Sequence, residues 1–466
     1  MRMFGKADAD FFLGLLGDKG FKNNPDEVKE FSKDWTRPES VSASCVLLPK
    51  TTDELSKILS YCHSKRLPVV PSGGRTGLAG GAVATKGEIV LSLVRMNQIL
   101  NVDSVGLTIE VEAGVTTQAI QEEALKHNLF YGVDLGSRGT CQIGGNLATN
   151  AGGLKFIRFG GTRDQVLGME IVLADGRILD LNRALPKNNT GYNLTQLFVG
   201  SEGTLGVISK ATLKLAKKPK NPRVACMGFD NFQKISECLA LCHQENLVLT
   251  AVEFFTDKAL NLVLSKFPSL SDPFSEKNPY YVILEIEEGD QNSLLESFLE
   301  KIFEKNLLQD AVLSSSSEEF RKLWALRENI TESIAQSGHV RKNDISVAVR
   351  DLPEFFKKIE RVTKQYKNHV DLILFGHVGD GNIHVNYSAP LKLDHKNFLK
   401  EALLIERKIF DCVHEFKGSI SAEHGIGINK KEEFLRTVST PELHYMKEIK
   451  KIFDPQNILN PGKIFD

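Results

Sequence analysis

No two cysteines in this chain are spaced Cys-x-x-Cys, and their number, seven in 466 residues, is odd. That argues against a disulfide framework, a zinc ribbon and a chain-borne iron–sulfur cluster, and it fits a reducing compartment. Charge of one sign is lacking too. Lys and Arg total 58 against 59 Asp and Glu, a formal net charge of −1, so nothing suggests a nucleic-acid partner. The short basic spot Lys217-Lys218-Pro219-Lys220 sits beside prolines and reads as a linker. No apolar run approaches the roughly 18 residues that span a bilayer, so no transmembrane segment is expected. The N-terminal stretch Phe11 to Leu16 is brief and flanked by Asp8, Asp10 and Asp18. It reads as neither a secretory signal nor an Arg-rich transit peptide, and a cytoplasmic enzyme is the expectation. The glycine-rich loop at 71–81 contains no Gly-x-x-x-x-Gly-Lys and no Gly-x-Gly-x-x-Gly, which argues against a P-loop and a dinucleotide-binding Rossmann turn.

What is present is an ordinary globular composition, 41% hydrophobic and 25% charged, over a length that suggests two or three domains. Cys45 to Leu48 reads as a strand, and Thr51-Thr52-Asp53 offers a helix cap before Leu55, Ile58, Leu59 and Cys62 at helical spacing. Asp175-Gly176 marks a hairpin. The run Lys217 to Arg223, with Pro219 and Pro222, marks a domain boundary. Beyond it strands and helices alternate: strands at 223–229, 250–255 and 280–287, helices at 231–245 and 257–265, and a long helix at 318–337. This is an α+β pattern with a substantial antiparallel sheet.

Three glycine-rich stretches share the first half. One is Pro71-Ser72-Gly73-Gly74-Arg75-Thr76-Gly77-Leu78. Another runs from Asp134 to Gly161 and includes Gly144-Gly145-Asn146 and Asn150-Ala151-Gly152-Gly153. A third is Gly200-Ser201-Glu202-Gly203-Thr204-Leu205-Gly206. Glycines let backbone approach a ligand, and successive amides bind phosphate oxygens. Loops of this kind in one domain suggest a ligand with a pyrophosphate and a long extended body.

The second half holds Phe375-Gly376-His377-Val378-Gly379-Asp380-Gly381-Asn382-Ile383-His384-Val385-Asn386. Asp380-Gly381 is a strong hairpin signal. As a two-residue loop it would set His377 directly opposite His384, with β-carbons about 4.5 to 5.5 Å apart, and Asn386 pointing the same way. Ser421-Ala422-Glu423-His424-Gly425 supplies a carboxylate. His377, His384 and Glu423 then make a two-His, one-carboxylate metal set with open positions. Zn²⁺ is the first expectation, and Mn²⁺ or Fe²⁺ suit the same ligands. His424, beside Glu423, is the natural general base.

The glycine-rich segments resemble the flavin-binding segments of the vanillyl-alcohol-oxidase type of FAD enzyme. The two histidine motifs resemble its FAD-linked D-2-hydroxyacid dehydrogenase branch. The resemblance runs from about residue 35 to the C-terminus in unbroken motif order. It implies an α+β fold with a two-subdomain FAD-binding domain at 1–217. A substrate or cap domain with an antiparallel sheet and the metal site follows at 218–430. A C-terminal segment at 431–466 packs back on the FAD domain. Carried over by position, Pro71 to Leu78 would wrap the pyrophosphate. Leu135, Gly136, Cys141, Ile143 to Asn146 and Thr149 to Gly153 would line the cofactor. Glu202, Val207 and Ile208 would lie near the adenine or ribose, and Asn460 near the isoalloxazine. No motif commits a His or Cys to covalent attachment, so FAD is expected to bind noncovalently.

The same resemblance gives the substrate to Arg327, Thr331, Lys342 and Asn386, and a catalytic role to His424. Arg327 and Thr331 share a face of the predicted helix. Arg suits planar carboxylate recognition and Lys acts as a point charge. Two cations favour a dicarboxylate such as D-2-hydroxyglutarate or D-malate, oxidised to the 2-oxo acid with hydride passing to the flavin. D-lactate or glycolate is the alternative substrate, and a catalytically silent flavin-binding subunit the alternative class. Electrons would leave to an acceptor such as an electron-transfer flavoprotein or a quinone. Arg341 and Asn343 flank Lys342 where the family often has aromatic residues, so the outer pocket is expected to differ.

Overall fold

A computed structural model of the chain describes residues 3–36, 38, 40–290, 293–366 and 370–465. The chain forms two units, one of residues 1–153, 160–218 and 423–466, the other of 154–159 and 219–422. The return to the first unit thus begins at Glu423 rather than at 431. A short piece of the second glycine-rich stretch, 154–159, belongs to the second unit.

In the first unit, the Thr51 side chain accepts a hydrogen bond from the Glu54 amide and starts the helix Thr52–Lys65, satisfying an amide that has no partner within the helix. Leu55, Ile58, Leu59 and Cys62 form one fully buried stripe. They join a core shared with the strands Ala43–Leu47, Glu88–Ser92 and Val69–Ser72, which run parallel with Glu88–Ser92 in the middle. A second, antiparallel sheet runs in the order Ile99–Asp103, Thr108–Glu112, Val207–Lys214, Val166–Val172 and Ile178–Asp180. Its last pair closes through Asp175-Gly176, with Gly176 at φ +88°.

The C-terminus is held to this unit by a buried charge cluster. Lys450 Nζ donates to Thr204 O (2.8 Å) and Leu459 O (2.9 Å) and pairs with Asp454 (2.5 Å). Asp454 also accepts from the Ile458 and Leu459 amides. The Asn460 amide then donates to Val69 O at 2.7 Å, so the last residues lie beside the strand that leads into the Pro71–Leu78 loop.

The second unit is built on a seven-stranded antiparallel sheet. Its order is Asp310–Leu313, Pro222–Phe229, Tyr280–Glu287, Leu249–Thr256, Asp371–His377, Asn382–Ala389 and His339–Ser346. Alternation gives the sheet two different faces. One carries Ala251, Phe255, Ile283, Ile373 and Phe375, which pack with Leu323, Trp324, Leu326, Ile330 and Ile334 from the helical segment above. On the other, Phe254 meets Phe356 of the helix Leu352–Thr363 edge-on at 5.4 Å.

Two expectations need correction here. The helix read at 318–337 is two helices, Ser317–Glu328 and Ile330–Ala335, joined at Asn329. The hairpin loop has four residues, not two, so His377 pairs with Asn382 and Phe375 with His384. The cause is local. The Asp380 and Gly381 amides both turn back to His377 O, at 3.3 and 3.1 Å, and Gly381 sits at φ +82° with its α-carbon against Val347 O.

Candidate active site

The four strands from Leu249–Thr256 to His339–Ser346 lay a row of polar side chains across an otherwise apolar face. Glu253 stands opposite His377, and Asp344 opposite His384. His377 and His384 are diagonal neighbours, a separation that long or aromatic side chains bridge. Glu253 Oε1 lies 2.6 Å from His377 Nδ1, and Glu253 Oε2 lies 2.7 Å from Arg327 Nη2. The Arg327 guanidinium lies 4.5 Å above the Phe375 ring. Glu253, Arg327, His377 and His384 are 1, 4, 6 and 8% exposed, so this pairing offsets a desolvation cost of several kcal/mol per ion.

The row has a chemical direction. His377 Nδ1 faces a carboxylate oxygen, the geometry in which that nitrogen donates and Nε2 is left to act as a ligand toward His384. His377 Nε2 and His384 Nε2 are 3.3 Å apart. Two imidazole nitrogens, each about 2.05 Å from one tetrahedral zinc, would lie about 3.3 Å apart. The two histidines therefore fit a shared divalent ion. Glu423 and His424 lie in the first unit, immediately after the last residue of the second, and both are half-buried.

All four residues expected to bind substrate lie in the second unit. Lys342 stands opposite Asn386 in the sheet, and its Nζ is 3.5 Å from Thr331 O. Asn386 Nδ2 donates to Ile373 O at 3.4 Å. Arg327 Nη2 forms an ion pair with Glu253 Oε2 that lacks hydrogen-bond alignment, and its buried Nε has no hydrogen-bond partner among the described residues. Arg341 and Asn343 do not flank Lys342 in space. They project from the opposite face of the strand, where Arg341 holds Glu406 through Nε (2.6 Å) and Nη2 (2.8 Å) and Asn343 binds the same carboxylate. The expected change in the outer pocket therefore does not come from their side chains.

In the first unit the glycine-rich stretches lie on one another. A β-carbon on Gly74 would meet Thr140 O at 2.1 Å, and Gly153, at φ +115°, passes the Asp134 carbonyl as closely as its lack of a side chain allows. Several expected cofactor side chains are spent internally. Asn146 Nδ2 donates to Thr117 Oγ1 (2.6 Å) and reaches Cys141 Sγ (3.7 Å). Asn150 Oδ1 accepts from the Arg163 amide, and the Arg75 guanidinium lies 4.4 Å over Phe31. Ser72 Oγ and Asn460 Oδ1 are buried without a partner among the described residues. Those orphaned oxygens, with backbone bared by the glycines, fit a polar cofactor in this cradle.

Glu202 is also spent internally. Its Oε1 accepts from the Ile426 amide (2.7 Å) and its Oε2 from the Gly427 amide (2.8 Å), so its carboxylate faces the loop after His424. Its own amide donates to Ala148 O, and its carbonyl accepts from Asn460 Nδ2. One residue thus ties the helix Ile143–Thr149, the C-terminal turn and the His424 loop. Burial pushes its carboxyl above the ordinary range, against the pull of the two amides and of Lys430 and Lys463.

Comparison with known proteins agrees with this architecture. Residues 218–464 match the family described as FAD linked oxidases, C-terminal domain, and residues 43–182 match the FAD binding domain. D-2-hydroxyglutarate dehydrogenase of Stutzerimonas stutzeri (strain A1501) is 41% identical over 94% of this chain and 95% of its own. The mitochondrial D-2-hydroxyglutarate dehydrogenase of Danio rerio is 37% identical over 98% of this chain and 85% of its own. A substrate-bound p-cresol methylhydroxylase structure has a TM-score of 0.80 at 16% identity, covering 98% of this chain and 96% of that one. The chain is an FAD-linked oxidoreductase with the vanillyl-alcohol-oxidase type of fold. It belongs to the FAD-linked D-2-hydroxyacid dehydrogenase family.

Sequence reasoning missed Glu253 and the anchoring role of Glu202. Glu253 had one signal, a lone carboxylate in the apolar strand Leu249–Thr256 on the alternation that faces the core. Glu202 had none beyond its glycine neighbours. Its role can be measured. Hydrogen bonds to a charged group contribute about 1.5 to 3 kcal/mol each, so Glu202→Ala should speed hydrogen exchange at the Ile426 and Gly427 amides by at least roughly tenfold. Unchanged protection at both would show that the loop holds itself.

Proposed function

We propose that this protein oxidises a dicarboxylic D-2-hydroxy acid, D-2-hydroxyglutarate first, to the 2-oxo acid. His377, His384 and Glu423 are proposed as the donors for a divalent metal, zinc first. The observation that carries the reading is the buried pair of Nε2 atoms at the spacing of two ligands on one ion. The names of the relatives support the substrate class. FAD, when bound, supplies the acceptor for two electrons and the hydrogen leaving C2, while the divalent metal supplies Lewis-acid polarisation of the hydroxyl oxygen.

The chain's own residues do the rest. His424 takes the hydroxyl proton as the C2–O bond becomes a carbonyl. Arg327 offers a carboxylate the Nε edge that Glu253 does not use, and the Glu253 pairing fixes its fork before substrate arrives, which lowers the ordering cost. Lys342, braced near the Thr331 carbonyl beside Asn386, adds a second cation. Two cations, Arg327 buried and Lys342 half-buried, favour two carboxylates over one. A cytoplasmic location belongs to this reading, and all seven cysteines are free and buried. No helix among the described residues is long and apolar enough to cross a membrane.

The direct test is anaerobic flavin bleaching with the D- and L-forms of lactate, malate and 2-hydroxyglutarate. The expected order is D-2-hydroxyglutarate or D-malate well ahead of D-lactate, with the L-forms inert. A preference for D-lactate would overturn the dicarboxylate reading, and no bleaching by any of them would overturn the enzyme's substrate class. His424→Ala should slow flavin reduction by about 10²- to 10⁴-fold, the usual contribution of a general base, with FAD and metal content unchanged. Wild-type reduction in the fully loaded variant would remove His424 from the chemistry, and loss of metal would make it a ligand instead.

A further inference from the structure

Glu253 lies 124 residues before His377 in the chain and is part of no recognisable motif. It is among the least exposed ionisable groups of the second unit, in the strand Leu249–Thr256 between apolar neighbours. An unpaired carboxylate there would be strongly disfavoured, so its two contacts define it. Oε1 faces His377 Nδ1 at 2.6 Å and Oε2 faces Arg327 Nη2 at 2.7 Å. The residue is fixed from three directions: its own strand, the paired strand Asp371–His377, and the helix Ser317–Glu328.

We infer that Glu253 is the positioning residue of the metal centre: it holds the proton of His377 on Nδ1, aims Nε2 at the ion, and through its second oxygen sets the fork of Arg327. The inference rests on the metal reading above. An imidazole can rotate about its χ2 bond and can carry its proton on either nitrogen. Of those states only one presents an Nε2 lone pair toward His384. The carboxylate selects that state by accepting the Nδ1 proton, and it raises the basicity of the ligating nitrogen, as outer-shell carboxylates do for metal-bound histidines. Asp344 faces His384 across the sheet. The Glu253 carboxylate also touches Arg327, so disturbing it affects two partners of different function. This separates it from a residue that merely fills the core.

The test uses the full-length, FAD-loaded protein stripped of metal. Zinc affinity is measured by competition with a chromophoric chelator for the wild type and for Glu253→Gln, which keeps the volume and one acceptor oxygen but loses the charge. Loss of an outer-shell partner typically weakens metal affinity by about 10- to 100-fold, and that is the expected shift, with FAD content unchanged. Nitrogen-15 NMR of the labelled histidines in the metal-stripped wild type gives a second readout that needs no variant to fold. The expected His377 tautomer has its proton on Nδ1. Wild-type zinc affinity in Glu253→Gln, or a His377 proton on Nε2, would overturn the role of Glu253 and leave the metal site standing. Failure of the wild type itself to take up zinc, manganese or iron would overturn the metal reading and this inference with it.

Discussion

A carboxylate buried between an imidazole and a guanidinium organises the second unit. Glu253 is 1% exposed in the core of a seven-stranded sheet, and its carboxylate lies 2.6 Å from His377 Nδ1 and 2.7 Å from Arg327 Nη2. The sheet register brings His377 opposite Glu253, and the helix Ser317–Glu328 brings Arg327 from above. Apolar packing around Phe255, Ile283, Phe375 and Trp324 excludes the water that would otherwise screen these charges. In such surroundings removing one partner of an ion pair costs about 3 to 5 kcal/mol. The same apolar packing that stabilises the unit therefore fixes the geometry of its polar row.

The first unit solves a different problem with the same device. Its glycine-rich loops expose backbone for a cofactor, and backbone without side chains holds itself poorly. Glu202 supplies the missing rigidity. It receives amides from the 426–427 turn with its side chain, and with its main chain it reaches Ala148 and Asn460. Lys450 and Asp454 repeat the logic one layer out, closing the C-terminal turn against Thr204 and Leu459. The residues that resemble a flavin motif thus divide into two sorts. Some, such as Ser72, keep an unspent polar atom. Others, such as Asn146, Asn150 and Glu202, build the cradle.

Much of this was legible in the sequence, for reasons that can be named. Apolar spacing found the helix Thr52–Lys65 and the strands Pro222–Phe229, Leu249–Thr256 and Tyr280–Glu287, because each buries one face or both. The histidine hairpin is legible but its loop length is not, since Gly381 packs against the carbonyl of Val347, just past the end of the strand His339–Ser346, which local sequence cannot see. The error did little harm to the site. Lengthening the loop from two residues to four shifts the pairing by an even number, so every side chain keeps its face of the sheet. Glu253 is marked in the sequence only as a lone carboxylate in an apolar strand, and the pairing of distant strands alone gives it meaning. The break at Asn329 and the turning of Arg341 and Asn343 toward Glu406 escaped for the same reason.

The central claim is that the two facing imidazoles serve a metal on which oxidation depends, separately from the flavin cradle. The most direct measurement is anaerobic flavin reduction by D-2-hydroxyglutarate in the same preparation before chelation, after chelation, and after one equivalent of a divalent metal is restored. Flavin absorbance and metal content are read at each stage. The account predicts that chelation leaves the protein yellow and abolishes most of the bleaching, and that added zinc, manganese or ferrous ion restores it. Full-speed bleaching in protein shown to be metal-free would contradict it.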